Sequence, residues 1–294
     1  MTSPGPAGLT VGVLHPGQMG AAVAAQARGK GAPVLWCPTG RSARTAQRAA
    51  DASLEPTTGL ADLLQRADVV LSICPPAAAE DVAGEVAAHR FRGVYVDANA
   101  ISPARSLRIM TALAQAGARP VDAAIIGPPP TASVTPRLYL AGDPADTSVV
   151  AELFAGTSVE PVVMAQPSGA ASALKMAYSG YQKATRVLSA LAHALASHHD
   201  VTEHLLIEAH RSAGSPLAQP AYLPGVAARA WRWAPEMHEI ADTLTEAGLP
   251  PHLAQATAEV LGRWKDDKDN RDIPLTDVLR HLTQDPAADL APPS

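Results

Sequence analysis

Short apolar runs alternate with segments of helical period through the first half of the chain, and a long proline-free helical pattern opens the second. Leu9–Leu14 is an aliphatic run that stops at a loop holding Gly17 and Gly20, after which the alanine-rich stretch Ala21–Ala27 reads as a helix. Pro33–Cys37, Val69–Ile73, Val94–Asp97 and Arg119–Ala124 read as further strands. Leu60–Arg66, Ala77–Arg90 and Ser102–Gly117 read as helices, the last with Ser102 as N-cap and Pro103 at its first position. Arg137–Ala141 and Val159–Val163 are two more strands around a helix near Ala145–Phe154. Continuously apolar strands alternating with helices predict a parallel sheet covered on both faces.

From about Ser168 the pattern changes. Gly169–Ser197 carries Leu174, Tyr178, Tyr181, Leu188, Leu191 and Leu195 at helical spacing and predicts one long helix, with Tyr178 and Tyr181 expected in its packed face. Glu203–Ser212, Ala227–Trp233, Pro235–Ala247 and His252–Trp264 predict shorter helices, and no strand is expected after Val163. The fold expected is a Rossmann-like α/β domain over residues 1–165 and an all-α domain over 166–294. Lys265–Asp272 reads as an exposed charged stretch and Asp285–Ser294 as a disordered tail.

Composition narrows the function. A chain of 294 residues with 47% apolar content has enough material for two cores. A net charge of −5 gives no footing for nucleic acid or an anionic membrane surface. No apolar run approaches the roughly 18 residues of a membrane span, and Met1–Gly8 lacks the basic cluster of a signal peptide. Two cysteines are too few for a disulfide framework or a zinc site, so a cytoplasmic protein is expected. His198, His199, Asp200, Glu203 and His204 match no metal-binding spacing, and no metal is expected.

The chemistry starts at the first loop. A strand, a tight glycine turn and a helix start present backbone N–H groups and a helix N-terminus to a pyrophosphate. Gly12, His15, Pro16, Gly17, Gln18 and Met19 are the candidate contacts, with His15 standing where the first glycine of G-x-G-x-x-G belongs. An NAD site places an acid at the end of the second strand, but none occurs between Pro33 and Ala50. Thr39, Gly40, Arg41, Ser42 and Arg44 cluster there instead, donors suited to a ribose 2′-phosphate, so NADP(H) is the expected cofactor.

With these residues in view the chain resembles the β-hydroxyacid dehydrogenase superfamily, which contains 6-phosphogluconate and 3-hydroxyisobutyrate dehydrogenases. Gly17-Gln18-Met19-Gly20 is similar to the family's G-x-M-G, Asp97–Pro103 to its D-x-S-T-x-x-P, Asp122–Gly127 to its D-A-P-V-S-G, and Gly169–Ser179 to its G-x-G-x-x-x-K-x-x-x-N. The run A-S-A-L-K-M-A-Y and the W-R-W…E-M-H-E-I-A segment resemble a branch with its own helical C-terminal domain, often labelled phosphogluconate dehydrogenase-like.

The resemblance implies that Cys74, Pro75 and Pro76 pass under the nicotinamide ribose and that Asn99 serves cofactor and substrate. Ile126, Gly127, Pro128 and Tyr178 would line the substrate, with Lys175 as the catalytic acid or base and Ser179 in place of the family's asparagine. Lys175 is the only lysine between Lys30 and Lys183, in an otherwise apolar segment; burial penalises an ammonium and equips such a lysine for proton transfer. Ile126 and the Asn99-Ala100 pair depart from residues that grip a substrate carboxylate in the family, which argues against an ordinary 3-hydroxy acid and for a more apolar pocket wall. Trp231, Trp233, Met237, His238 and Glu239 are further candidates for lining the site or packing helix on helix.

The function expected is an NADP(H)-dependent oxidoreductase moving hydride between nicotinamide and a hydroxyl or carbonyl carbon, acting on a small molecule in a cleft between the domains. By resemblance the helical domains pair into a homodimer. An imine reductase is the nearest alternative, though that class typically lacks a lysine at the position of Lys175. A non-catalytic NADP(H)-binding protein is the other.

Overall fold

The structure is a computed structural model that describes residues 8–211 and 216–283. The expected disorder of Asp285–Ser294 lies outside the described residues. The chain falls into two compact units that divide between Met176 and Ala177.

The first unit begins β1 (Val11–Val13), α1 (Gln18–Gly29), β2 (Val34–Trp36), α2 (Ala43–Asp51), β3 (Glu55–Pro56) and α3 (Leu60–Arg66). It continues β4 (Val69–Ser72), α4 (Ala79–Ala88), β5 (Val94–Asp97), α5 (Pro103–Ala116) and β6 (Arg119–Ile126). β7 (Arg137–Gly142), α6 (Pro144–Phe154) and β8 (Glu160–Val163) follow, then the start of α7 (Ala170–His198). The strands form one sheet in the order β3-β2-β1-β4-β5-β6-β7-β8. Every pair is parallel except β6 with β7. This is the Rossmann-like arrangement, and its strand order reverses between β1 and β4, where ligands bind at the carboxyl ends of the strands.

Alternate residues of the strands feed two cores. Val11, Val13, Val69, Leu71, Val94 and Val96 pack with α1 and α6 through Val23, Ala27, Val150 and Phe154. On the other face Leu35, Val70 and Tyr95 pack with Leu63, Val86, Ile109 and Leu113 of α3, α4 and α5. Gly12 belongs to this packing, because a Cβ there would lie 2.5 Å from Leu63 Cδ2. Its missing side chain lets a helix approach the sheet. α5 starts as its sequence predicts, with Ser102 Oγ accepting from Arg105 N.

The second unit is helical: the rest of α7, α8 (Thr202–Arg211), α9 (Leu223–Ala227), α10 (Ala230–Glu246), α11 (His252–Gly262) and α12 (Leu275–His281). The two helices expected on either side of Ala234 are one helix, α10, with Pro235 inside it. Packing against α11 along its length outweighs the single backbone bond the proline removes. α12 was not anticipated. Its anchor is Trp264, fully buried, whose Nε1 donates to Val278 O at 2.9 Å. Asp267, expected in an exposed stretch, is buried and accepts from His281 Nδ1 at 2.9 Å.

The periodicity of α7 holds, but its large apolar side chains face outward. Tyr178, Tyr181, Leu188 and Leu195 are 46%, 68%, 54% and 63% exposed, whereas Met176, Ser179, Lys183, Val187, Ala190 and His193 are buried. Lys183 pairs there with Glu236 of α10. Among the described residues no helix is long and apolar enough to cross a membrane.

Trp264→Ala should lower the unfolding free energy by about 3–5 kcal/mol, the range for losing a buried tryptophan, read as a lower urea midpoint. An unchanged midpoint would remove Trp264 as the anchor of α12.

Candidate functional site

The glycine loop follows β1 at the point where the strand order reverses. Gly17 N donates to His15 O at 2.8 Å and Gly17 O accepts from Ala21 N at 2.9 Å, so the chain turns sharply into α1. A Cβ on Gly20 would lie 2.2 Å from His15 O, whereas one on Gly17 would meet nothing within 4 Å. Gly20 is required by the fold, and Gly17 faces open space at a helix N-terminus. No acidic side chain occupies the first turn of α1, so its partial positive charge is not neutralised from within.

His15 sits in the turn half-buried, with its Nδ1 meeting no hydrogen-bond partner. Burial, with the charge of Arg41 second, lowers its pKa to about 4, so the imidazole is neutral at physiological pH. Arg41 has a buried Nε that also lacks a partner. It lies in a turn after β2 in which Arg41 N donates to Pro38 O and Gly40 takes φ +72°. Ser42 caps α2 by accepting from Thr45 N, and Thr39, Gly40 and Arg44 are exposed around it. Two orphaned polar atoms, an open glycine and an unneutralised helix start fit an anionic dinucleotide.

β4 ends at the Cys74-Pro75-Pro76 turn. Cys74 N donates to Asn99 Oδ1 at 2.6 Å, and Asn99 Nδ2 donates to Ser72 Oγ at 3.1 Å. The buried Asn99 amide is thus engaged in holding the ends of β4 and β5 together. Arg105 of α5 clamps the same turn, with Nη2 donating to Pro76 O at 3.0 Å and Nε to Glu80 Oε2 at 3.2 Å. Cys74 is buried, and its thiol is pushed up to about 11 by that burial and then by Asp97. It is no thiolate nucleophile at neutral pH.

Ser72, Asp97 and Asp122 form one polar row on adjacent strands, in register from β4 to β5 to β6 and all buried. Asp97 Oδ1 accepts from Asn99 N, while its Oδ2 has no partner. Burial first, and the neighbouring Asp122 among lesser causes, raises its carboxyl to about 7.

Asp122 is satisfied in full. Its Oδ2 accepts the backbone N–H groups of Gly169, Ala171 and Ser172 at 2.8, 3.0 and 3.2 Å. Its Oδ1 accepts the hydroxyls of Ser172 and Ser106 at 2.6 and 3.0 Å. The start of α7 is therefore capped by a carboxylate in the middle of β6. Small residues, Ala124, Ala141 and Ala171, allow the close approach. Lys175, one turn on, donates from Nζ to Ile125 O of β6 at 2.8 Å. Beyond it β6 ends at half-buried Ile126, exposed Gly127 at φ +127°, and exposed Pro128. Tyr178 and Ser179 belong to the second unit.

The structure thus brings Gly17, His15 and Arg41 to one end of the sheet and Lys175 to the end of β6. Sequence reasoning missed Asp122 as a cap and Arg105 as a clamp; an acid inside the apolar run Val121–Ile126 was the available signal for the first. Among the described residues no three His, Cys, Asp or Glu side chains are placed to hold a metal.

A doubly covered, mostly parallel sheet with this loop at its reversal point defines a dinucleotide-binding fold. Residues 10–165 match the family described as the NAD binding domain of 6-phosphogluconate dehydrogenase, and the chain belongs to that family. Residues 196–264 match a domain of unknown function, DUF1932. An uncharacterised 28.5 kDa protein of Methanothermus fervidus is 31% identical over 150 residues, 51% of this chain and 56% of that protein. This chain therefore spans little more than half the length of that curated relative.

Among solved structures, the conserved protein MTH1747, of unknown function and structurally similar to 3-hydroxyacid dehydrogenases, is 25% identical with a TM-score of 0.68. That match covers 90% of this chain and 100% of the other. Mycobacterium tuberculosis 3-hydroxyisobutyrate dehydrogenase, solved with L-serine, shares the fold at 19% identity and a TM-score of 0.69, over 94% and 99% of the two chains. The chain shares its fold with these proteins.

Asp97 makes stability depend on pH. Its folded pKa of about 7 lies above the ordinary 3.8, so the folded state keeps a proton that the unfolded chain has lost. Stability therefore falls as pH rises between those values, by about 4 kcal/mol at most. His15, depressed to about 4, acts in the opposite sense up to its unfolded value. Comparing wild type with Asp97→Asn isolates the first effect: the variant's urea midpoint should gain on wild type from pH 5 to pH 8. A constant difference would show that Asp97 does not titrate there.

Proposed function

We propose that the protein is an NADP(H)-dependent oxidoreductase that interconverts a hydroxyl and a carbonyl group on a small molecule. The observation that carries this reading is Lys175, whose ammonium is held on Ile125 O by one hydrogen bond at the capped start of α7. Its other N–H bonds are left to serve a substrate oxygen. In the reducing direction the carbonyl carbon gains hydride and the Lys175 ammonium gives a proton to the carbonyl oxygen; in the oxidising direction Lys175, as the neutral amine, accepts the hydroxyl proton while hydride leaves the carbon. The nicotinamide supplies or takes the hydride when bound.

The chain's own residues divide the remaining work. Gly17, Gln18 and Met19, with Pro16 behind them, offer the N-terminus of α1 to the pyrophosphate, beside His15. Arg41 takes the ribose 2′-phosphate with the donors of Thr39, Gly40, Ser42 and Arg44. Cys74, Pro75 and Pro76 support the nicotinamide ribose on a turn that Asn99 and Arg105 hold. Ile126, Gly127 and Pro128 form the pocket wall, with Tyr178 and Ser179 following Lys175 along α7.

A second copy of the chain is the proposed partner, in the cytoplasm. Tyr181, Leu188, Leu191 and Leu195 make an exposed apolar stripe on α7, and such stripes are covered in stable proteins.

NADPH should bind more tightly than NADH, and Arg41→Ala should weaken NADPH by about tenfold or more while sparing NADH. Equal affinity of wild type for both would overturn the 2′-phosphate assignment. Lys175→Met should lower kcat for carbonyl reduction by about 10²- to 10⁴-fold with cofactor affinity retained; undiminished turnover would remove Lys175 as the proton donor. Leu188→Glu with Leu195→Glu should convert a sedimenting dimer into a monomer, and a wild-type monomer would refute the pairing.

A further inference from the structure

The second unit brings several arginines near one another. Arg186 comes from α7, Arg229 from the residue before α10, Arg232 from its first turn, and Arg271 from the segment before α12. That segment is drawn in by a backbone bond from Asp269 N to Ala228 O at 3.0 Å. The pKa of Arg229 is lowered first by burial; Tyr222 opposes the shift, and Arg271, Arg232 and Arg186 add to it. Glu236, the acid one turn along α10 from Arg232, is engaged by Lys183.

Aromatic rings hold the guanidinium groups in place. Tyr222 meets two of them, with Arg186 4.8 Å and Arg229 5.5 Å from its centroid. Arg229 is also 5.2 Å from the Trp233 ring. Arg186 directs Nη1 to Gln182 O and Oε1, yet its Nε is buried with no acceptor, as is Arg229 Nη2. Like charges half-buried together, with N–H donors left over, are unfavourable unless an anion accepts them.

We infer that Arg186, Arg229 and Arg271, beside Tyr222 and Trp233, form an oxyanion site that binds a phosphate or carboxylate group of a small molecule. The guanidinium fork matches the spacing of two oxygens on either group. The ring faces give the rest of such a ligand an apolar surface to lie against. A chain of net charge −5 that concentrates cations at one place suits a compact anion better than an extended polyanion. The site stands on the second unit alone and does not depend on the redox reading.

The test uses the full-length protein, with tryptophan emission and the melting midpoint followed against inorganic phosphate or acetate at constant ionic strength in chloride. A saturable response to either anion, beyond chloride, is expected. Tighter phosphate identifies a phosphate-bearing ligand and tighter acetate a carboxylate. Arg229→Gln should weaken binding about tenfold or more. Arg271→Gln, at an exposed position whose loss leaves packing intact, should weaken it severalfold. In Arg41→Ala, which removes the phosphate donor of the nucleotide loop, the part of the response that Arg229→Gln weakens should persist, which separates this site from that loop whether or not NADPH binds there. No saturable response, a response undiminished in Arg271→Gln, or one lost in Arg41→Ala would overturn the assignment.

Discussion

The first unit is arranged around a carboxylate in the middle of a strand. Asp122 accepts three backbone N–H groups and a serine hydroxyl from the start of α7, and a second hydroxyl from α5. The first N–H groups of a helix have no partners within it, and in a buried setting they must be met from outside. Asp122 meets them with a charge that also complements the helix dipole. The same strand supplies the carbonyl of Ile125 that receives Lys175 Nζ. One strand thus sets both the origin of the helix and the position of its lysine tip. Residues 166–176 belong with the first unit for this reason, although the change of sequence pattern falls near residue 165.

Electrostatics is handled differently along the row that contains Asp122. Asp97, its neighbour on β5, has one oxygen bonded and one orphaned. Burial first, with the neighbouring Asp122 a lesser cause, keeps the Asp97 carboxyl protonated to higher pH. At the nucleotide end the sign is reversed. Burial, with Arg41 second, keeps His15 neutral, so the loop presents one fixed cation, a polar ring and a helix terminus.

Much of the architecture was legible in the chain because local chemistry dictated it. Ser102 and Pro103 start α5 where a cap and an N1 proline must. Val69–Ser72 and Val94–Asp97 are strands because only a doubly covered sheet buries such runs. Where tertiary packing overrides local preference, the reading failed. Pro235 breaks helices in isolation but lies within α10, and α12 is too short to be distinguished until Trp264 packs beneath it. The packing constraint on Gly12 was likewise invisible until the position of Leu63 was known.

The period of α7 shows the same division most plainly. Spacing alone determined that Tyr181, Leu188, Leu191 and Leu195 share a face, because the helix repeat is a local property. It could not say what covers that face, and within the chain the opposite face, with Ser179, Lys183 and His193, is the buried one. The sequence by itself likewise determined a glycine turn before a helix, an acid-free second strand and a lone lysine in an apolar segment. Only the tertiary structure decided that Arg41 lies beside His15, that Asp122 caps α7, and that Arg186, Arg229 and Arg271 converge. Those are contacts between residues far apart in sequence, and no local rule of spacing or propensity encodes them.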